Sequence, residues 1–516
     1  MTCASFGAEN MPLRQNVRMD DNLPPRQPVV RGAGTTAAER YLKRLCDATF
    51  LSMWSYPGVY RDQRSKANTE GKEVCDLLVV FENDIVIFSD KDCEFRRSGD
   101  LQTNWSRWFR KAVIGGAEQL WGAERWIRRF PERLFLDRAC TQPFPFPLPD
   151  LRTARFHLVL VTHGVSPACA DVLGGSGSLV IESDRRGFQS HTVPFVVGDL
   201  DPDRAFVHVL DDTTLDIVLR TRDTIADLTA YLRKKEAFLR GRDVFAAGEE
   251  ELLAAYFKMM NEAGEHDFVF PPHVTGGIAI PEGHWLDFST SKERKAQIEH
   301  DAISYSWDAL IEKFNYYALR GDQYLRPSTV RDIERTMRFL AREPRPRRRM
   351  LAVALNGLVH KIPGHTRGTR VIAPSSPGDP YYAFLVLPVF EGMTHREYRE
   401  LRGGFLDALV RVVKLTFPDA EDIIGIATES GIDTEPRTED AAYIDARDWC
   451  KELQRDAVEC QQRLKLLVNV STHHEKLDEF PQVTLAGQLL HPPGKNPRNK
   501  PCPCRSGKKY KHCHGR

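Results

Sequence analysis

Two apolar runs joined by three polar residues constrain this chain more than any other stretch. Val74-Cys75-Asp76-Leu77-Leu78-Val79-Val80-Phe81 and Ile85-Val86-Ile87-Phe88-Ser89-Asp90-Lys91 are rich in β-branched and apolar residues, and Glu82-Asn83-Asp84 between them has the composition of a tight turn. The pattern predicts a buried hairpin. In a hairpin the start of one strand lies beside the end of the other, so Asp76 and the pair Asp90-Lys91 are expected at one edge of the sheet. A carboxylate there can hold Mg2+, and a nearby lysine can steady a developing negative charge.

A helix precedes the hairpin. Thr35 or Thr36 can cap it, and Tyr41, Leu42, Leu45, Ala48, Phe50 and Leu51 give it a broad apolar face. Helix, acidic strand and lysine-bearing strand together are similar to the PD-(D/E)xK nuclease core, shared by restriction endonucleases and many repair and defence nucleases. The resemblance implies that Glu39 is the helix glutamate, Asp76 the metal aspartate and Lys91 the lysine of (D/E)-x-K. The chain departs from the family at Ser89, which occupies the acidic position. Period-two alternation turns Asp90 away from Lys91. The missing carboxylate then comes from Asp90 through a bulge, or from Glu73, or the site is inactive. A further helix expected over 101–127 carries Lys111 and Gln119, either of which could reach a phosphate. Its aromatic residues read more simply as a core face with solvated basic neighbours. An ordinary α/β hairpin is the alternative for the whole segment.

The other chemical signature is Cys502, Cys504, Cys513 and His514, in a C-x-C-x8-C-H spacing. Four soft or borderline donors suit tetrahedral Zn2+, and Arg505 to His512 hold no apolar core, so the metal must supply the folding free energy of the segment. Pro501-Cys502-Pro503-Cys504, Ser506-Gly507-Lys508-Lys509-Tyr510-Lys511 and Cys513-His514-Gly515 resemble the SEC-C motif. That zinc-binding segment occurs at the C-terminus of the SecA preprotein translocase and of many otherwise unrelated bacterial proteins. Arg505 stands where the family usually has glycine. The rest of the chain is not the SecA motor, because no G-x-x-x-x-G-K-[ST] phosphate loop occurs.

At 516 residues, with 41% hydrophobic and 28% charged side chains, the chain has the composition of a soluble globular protein of roughly three domains. A net charge of +1 gives no global pull toward nucleic acid or membrane, so such affinity must reside in local patches. No apolar run approaches the ~18 residues that span a bilayer, and residues 1–30 lack a signal-peptide core. Most of the eleven cysteines are scattered singly, a pattern of reduced thiols that points to the cytoplasm.

The expected fold class is α/β, as an α+β multidomain chain. Its parts are a disordered leader over 1–34, a restriction-endonuclease-like α/β domain over 35–140, an α+β and helical middle domain over 151–343, an α/β domain with a long helix over 350–485, and the zinc segment over 496–516. The proline-rich PFPFPLPD run marks a domain boundary. Glu249-Glu250-Glu251 reads as a solvated face, Glu343 to Arg349 as a basic hinge, and Thr438 to Leu464 as one long helix. His157, His163, His191 and His208 read as structural residues.

Two functions compete. The first is a Mg2+-dependent nuclease acting on DNA or RNA, with Glu39, Asp76, Asp90 and Lys91 as the catalytic set and the zinc tail as a docking module. The second is a non-enzymatic protein recruited through its zinc segment to a chaperone, ribosome or nucleic acid. A nuclease fold kept only as a scaffold is the inactive limit of the first. Substrate and oligomeric state are not legible.

Overall fold

The computed structural model describes residues 28–63, 70–270, 276–321, 330–431, 437–474 and 478–480. Most of the expected leader and the whole zinc segment, with Cys502, Cys504, Cys513 and His514, lie outside them. The described chain is a mixed α/β protein of two units, 28–298 and 299–480.

The first unit is built on the hairpin. β1 (Ser55–Arg61), β2 (Lys72–Phe81), β3 (Asp84–Asp92), β4 (Arg155–His163) and β7 (Val207–Leu210) form one sheet in the order β1-β2-β3-β4-β7. β2 runs antiparallel to β1 and β3, while β3, β4 and β7 are parallel, so β2 alone opposes the other four. The hairpin closes with Phe81 opposite Asp84, and Glu82 in the loop takes a φ of +49°.

Helices cover both faces. On one, the helix Ala37–Phe50 packs Phe50 edge-on to Phe88 at 6.0 Å. Thr36, one of the two caps the sequence offers, caps that helix, and Glu39 completes a capping box with it. On the other face the helix Gly115–Arg129 joins Leu78, Val80, Ile85 and Ile87 in the core, where Trp105, Trp108 and Trp121 are also buried. A π-type turn over Phe109–Ile114 separates it from the helix Leu101–Trp108.

β1 falls where the sequence suggests only a helix break at Tyr56-Pro57-Gly58. It is an edge strand, the one place in a sheet where a proline lacking its N–H is tolerated. The proline-rich run expected as a domain boundary lies inside this unit. Phe144 packs on Tyr56 at 4.9 Å, and β4 beyond it joins the hairpin's own sheet.

A second sheet in this unit pairs β5 (Val180–Arg186), β6 (Val196–Asp199), β8 (Val244–Ala246) and β9 (Ile278–Ile280) in the order β6-β5-β8-β9. Next to it, the three glutamates expected at the surface are buried. Glu249 accepts the Tyr231 hydroxyl at 2.8 Å and an ion pair from Lys235, Glu250 accepts Ser176, and Glu251 accepts the backbone N–H groups of Gly283 and Trp285. Sequence reading missed this because the partners come from distant segments.

The unit 299–480 carries β10 (Gly368–Ile372), β11 (Tyr381–Leu387), β12 (Asp422–Glu429) and β13 (Glu439–Asp445) in that spatial order. β11 and β12 are parallel, fully buried and joined by the helix His395–Thr416. Residues 438–464 are not one helix: β13 pairs with β12 first, and the helix Lys451–Leu464 follows. The expected basic hinge is the first turn of the helix Arg345–Lys361, where Pro346 is tolerated because the first N–H groups of a helix have no partner within it. Arg348 there is fully buried and bonds Asp308 at 2.8 Å, and Arg345 bonds the same carboxylate at 2.7 Å.

Candidate active site

β2 and β3 bring together the residues at the edge of the hairpin. Leu77 pairs with Phe88, and continuing that register puts Asp76 opposite Ser89, on the face that also carries Lys91. The alternation would put Glu73 on the other face, but the β1–β2 ladder is irregular there. Val59 pairs with Cys75, yet the next β1 residue, Tyr60, pairs with Glu73, so Val74 is an extra residue in β2. Such a bulge reverses the alternation beyond it. Glu73 thereby shares a face with Asp76.

The electrostatics show that these groups sense one another. Loss of solvation pushes the Glu73 carboxyl up to about 7, reinforced by the negative charges of Asp76 and Glu39 and opposed by Lys91. Asp76 is half-buried, and burial likewise raises its carboxyl; the Asp90 N–H and the Lys91 ammonium offset part of the rise, while Asp90 and Glu39 add to it. Asp76 Oδ2 accepts the Asp90 backbone N–H at 2.6 Å. Lys91 Nζ donates to Gln119 Oε1 from the Gly115–Arg129 helix.

Glu39 reaches these groups only through its charge, since its carboxylate is engaged locally. Its Oε2 accepts the Thr35 N–H at 2.6 Å and the Thr35 hydroxyl at 2.5 Å. Partial burial would raise its carboxyl, and these bonds outweigh that and hold it below the usual range. Ser89, in the acidic slot of (D/E)-x-K, is buried, and its hydroxyl has no hydrogen-bond partner among the described residues.

Asp90 points to the opposite face, as alternation without a bulge in β3 requires. Its Oδ1 lies 2.8 Å from His163 Nε2, and His163 Nδ1 lies 2.8 Å from Asp212 Oδ1. Hydrogen bonding to Asp212 and then to Asp90 pushes the imidazole up to about 10 against the opposing effect of burial, so the ring is a cation at neutral pH. His163 and Asp212 could not be singled out from the sequence, because β4 and the segment after β7 meet β3 only in the folded sheet. Lys111 lies within the π-type turn, and among the described residues no bond from it to this edge is present.

Among the described residues no group of three or more His, Cys, Asp or Glu side chains could hold a metal ion. None of their helices is long and apolar enough to cross a membrane.

Comparison with known proteins bears on the other end of the chain. Residues 498–516 match the SEC-C motif. Part of the chain is similar to protein translocase subunit SecA. The SecA of Azoarcus sp. is 43% identical over 68 residues, which are 13% of this chain and 7% of that protein. For Aromatoleum aromaticum the identity is 52% over 54 residues, 10% and 6% of the two chains. For Bordetella petrii it is 50% over 54 residues, 9% and 6%. The chain thus spans less than a tenth of the relatives it matches. No solved structure matches it. The SEC-C motif binds zinc in general, and the matched residues include Cys502, Cys504, Cys513 and His514.

Proposed function

We propose that the unit 28–298 is a Mg2+-assisted nuclease acting on DNA or RNA, and that the SEC-C segment is a zinc-held address for a protein or nucleic-acid partner. The observation that carries the catalytic reading is that Asp76 shares a face of the sheet with Glu73 and Lys91, and that the Glu73 and Asp76 carboxyls both feel the charges of Lys91 and Glu39. A helix glutamate, an acidic strand and a lysine-bearing strand are the parts that the nuclease resemblance calls for.

The donor set suits a hard cation. Mg2+ is commonly held by one or two carboxylates together with substrate phosphates, so Glu73 and Asp76 suffice without a third protein ligand. Glu73 supplies the carboxylate that Ser89 lacks. When bound, Mg2+ would lower the pKa of a water and neutralise charge on the phosphodiester. The chain's own groups do the rest. Asp76 is oriented by the Asp90 N–H. Lys91, anchored by Gln119, offers ammonium protons to a phosphate oxygen.

The test is incubation of full-length protein with single-stranded DNA, duplex DNA and RNA, with Mg2+ or with EDTA. Cleavage that needs Mg2+ and falls at least a hundredfold in Lys91→Ala and Asp76→Asn is expected. A wild type that cuts none of the three sinks the reading.

Ser89 in the acidic slot and Glu39 spent on its cap favour a second reading, a non-enzymatic scaffold recruited through the tail. SecA, which carries the similar segment, is a protein translocase subunit, so the partner sought first is a protein. Deleting residues 496–516 should then abolish partner capture while the body stays folded, and an unchanged pull-down would count against it.

A further inference from the structure

His163 sits on the reverse face of the sheet from Lys91, yet it is tied to the same stretch of β3. Asp92 pairs with His163 and Asp90 with Val161 in the parallel β3–β4 ladder, so His163 and Asp90 share one face while Lys91 and Thr162 share the other. The Asp90 side chain is 4% exposed, and no aligned hydrogen bond to either of its carboxylate oxygens is present among the described residues. The His163 ring, 2.8 Å away, is the cation set against it. Only the protonated imidazole carries an N–H at both nitrogens, one toward each carboxylate, and a positive charge to set against both.

The ring is itself held from behind. Asp212 takes His163 Nδ1 on one oxygen and the Gly164 N–H on the other, both at 2.8 Å. Gly164 has a φ of +80°, and a Cβ there would lie 3.0 Å from the Cys93 carbonyl oxygen, so the chain just after β4 is pressed onto the chain just after β3. The end of β3 is thus fixed on its reverse side by a charge clamp and a close backbone contact. On its front side, the N–H of the same Asp90 fixes Asp76, and the next residue is Lys91.

We infer that His163 is a positioning residue for the acid–lysine edge: through Asp90 it holds the end of β3 in the register that aims the Asp90 N–H at Asp76 and Lys91 at the substrate face. This rests on the nuclease reading for its effect on rate, but the clamp itself is independent of any activity. Removing the imidazolium leaves the buried Asp90 carboxylate without a countercharge, which the chain can relieve only by moving the end of β3. Removing both charges should restore the register.

The experiment compares wild type, His163→Gln and the double variant Asp90→Asn/His163→Gln, all as full-length protein. Amide hydrogen exchange at Asp90 is read alongside Mg2+-supported cleavage, with circular dichroism to establish that each is folded. In His163→Gln the Asp90 amide should exchange at least tenfold faster and kcat should fall at least tenfold with KM little changed; the double variant should recover most of both. Unchanged protection of the Asp90 amide in a folded His163→Gln overturns the proposal. So does a double variant no better than the single one, since a merely structural histidine would not be rescued by neutralising Asp90. If wild type cuts nothing, the nuclease reading falls, and the exchange result still decides the clamp. Should His163→Gln fail to fold, recovery of a folded, protected double variant supports the clamp, and failure of both overturns it.

Discussion

Gly116 lies so close to Leu160 that a Cβ at position 116 would sit 2.3 Å from Leu160 Cδ1. The missing side chain lets the Gly115–Arg129 helix rest directly on β4. Three residues on, on the same helical face, Gln119 takes the Lys91 ammonium. The position of Lys91 at the candidate site is therefore set partly by a glycine far from it in sequence.

Gly116→Ala should for this reason destabilise the protein. Overpacking of a well-filled core costs about 1–3 kcal/mol, whereas exchanging glycine for alanine within a helix gains only about 0.5–1 kcal/mol. A net loss of up to about 2 kcal/mol in urea unfolding is expected, with a fall in any Mg2+-dependent cleavage as the helix backs away from Lys91. A variant as stable as wild type would show that the helix does not approach so closely.

The opposite end of β3 predicts an acid-sensitive contribution to stability. Asp84 accepts Arg155 at 2.8 and 2.9 Å and contacts His157 at 2.8 Å. Burial alone would raise its carboxyl, but these partners outweigh that and hold it at about 2, against an ordinary value of 3.8. A depressed folded-state value means that the contribution is complete above pH 3.8 and is lost as the pH falls toward 2. Its size is on the order of 2 kcal/mol at one pKa unit per 1.36 kcal/mol. Asp84→Asn should lower stability at pH 6 and flatten the profile between pH 4 and 2; unfolding curves of both proteins across that range, if parallel, would contradict this.

In the unit 299–480, Asp308 faces two guanidiniums. Removing it by Asp308→Ala leaves Arg345 and Arg348 without that carboxylate, and Arg348 is fully buried. Loss of one member of such a group costs about 3–5 kcal/mol, because burial of the remaining charge is no longer compensated. Arg396→Ala, which breaks the exposed pair with Glu400, should cost at most about 0.5 kcal/mol. Chemical denaturation of the two variants measures the contrast, and similar losses would mean that Asp308 is not the countercharge described.

The hairpin was readable because its signal is local: two β-branched runs and a short polar turn specify pairing within about twenty residues. The helix cap at Thr36 was readable for the same reason, whereas Glu39, read as a catalytic glutamate, completes that cap as its capping-box partner. Glu73 was nameable as a candidate but not placeable, since its face depends on the extra residue Val74, and that bulge exists only in the pairing with β1. Pro57 concealed β1 itself. β13 was hidden inside an apparent helix because its strand conformation comes from pairing with β12, an interaction that overrides local propensity. Arg345, Arg348 and the three buried glutamates have surface-like residue types. Only distant partners explain their burial, and a charge pattern read along one segment cannot reveal those partners.

The zinc segment makes a prediction that separates it from the body. Arg505 to His512 are polar and basic and offer no apolar core, so in the zinc reading the binding free energy of the ion would supply their folding free energy. Full-length protein prepared without chelator should carry about one Zn2+ per chain through Cys502, Cys504, Cys513 and His514, four donors completing one tetrahedron. Cys513→Ser should strip that ion, as should a strong chelator. The thermal midpoint of the body should not move by more than about 1 °C, because the body has cores of its own, with Trp105 buried in the first unit and Trp307 in the second. Metal content by elemental analysis and unfolding by calorimetry decide the matter together. A chain that keeps its zinc after Cys513→Ser would place the ion elsewhere, and a body that melts when the zinc is removed would make the tail part of its fold.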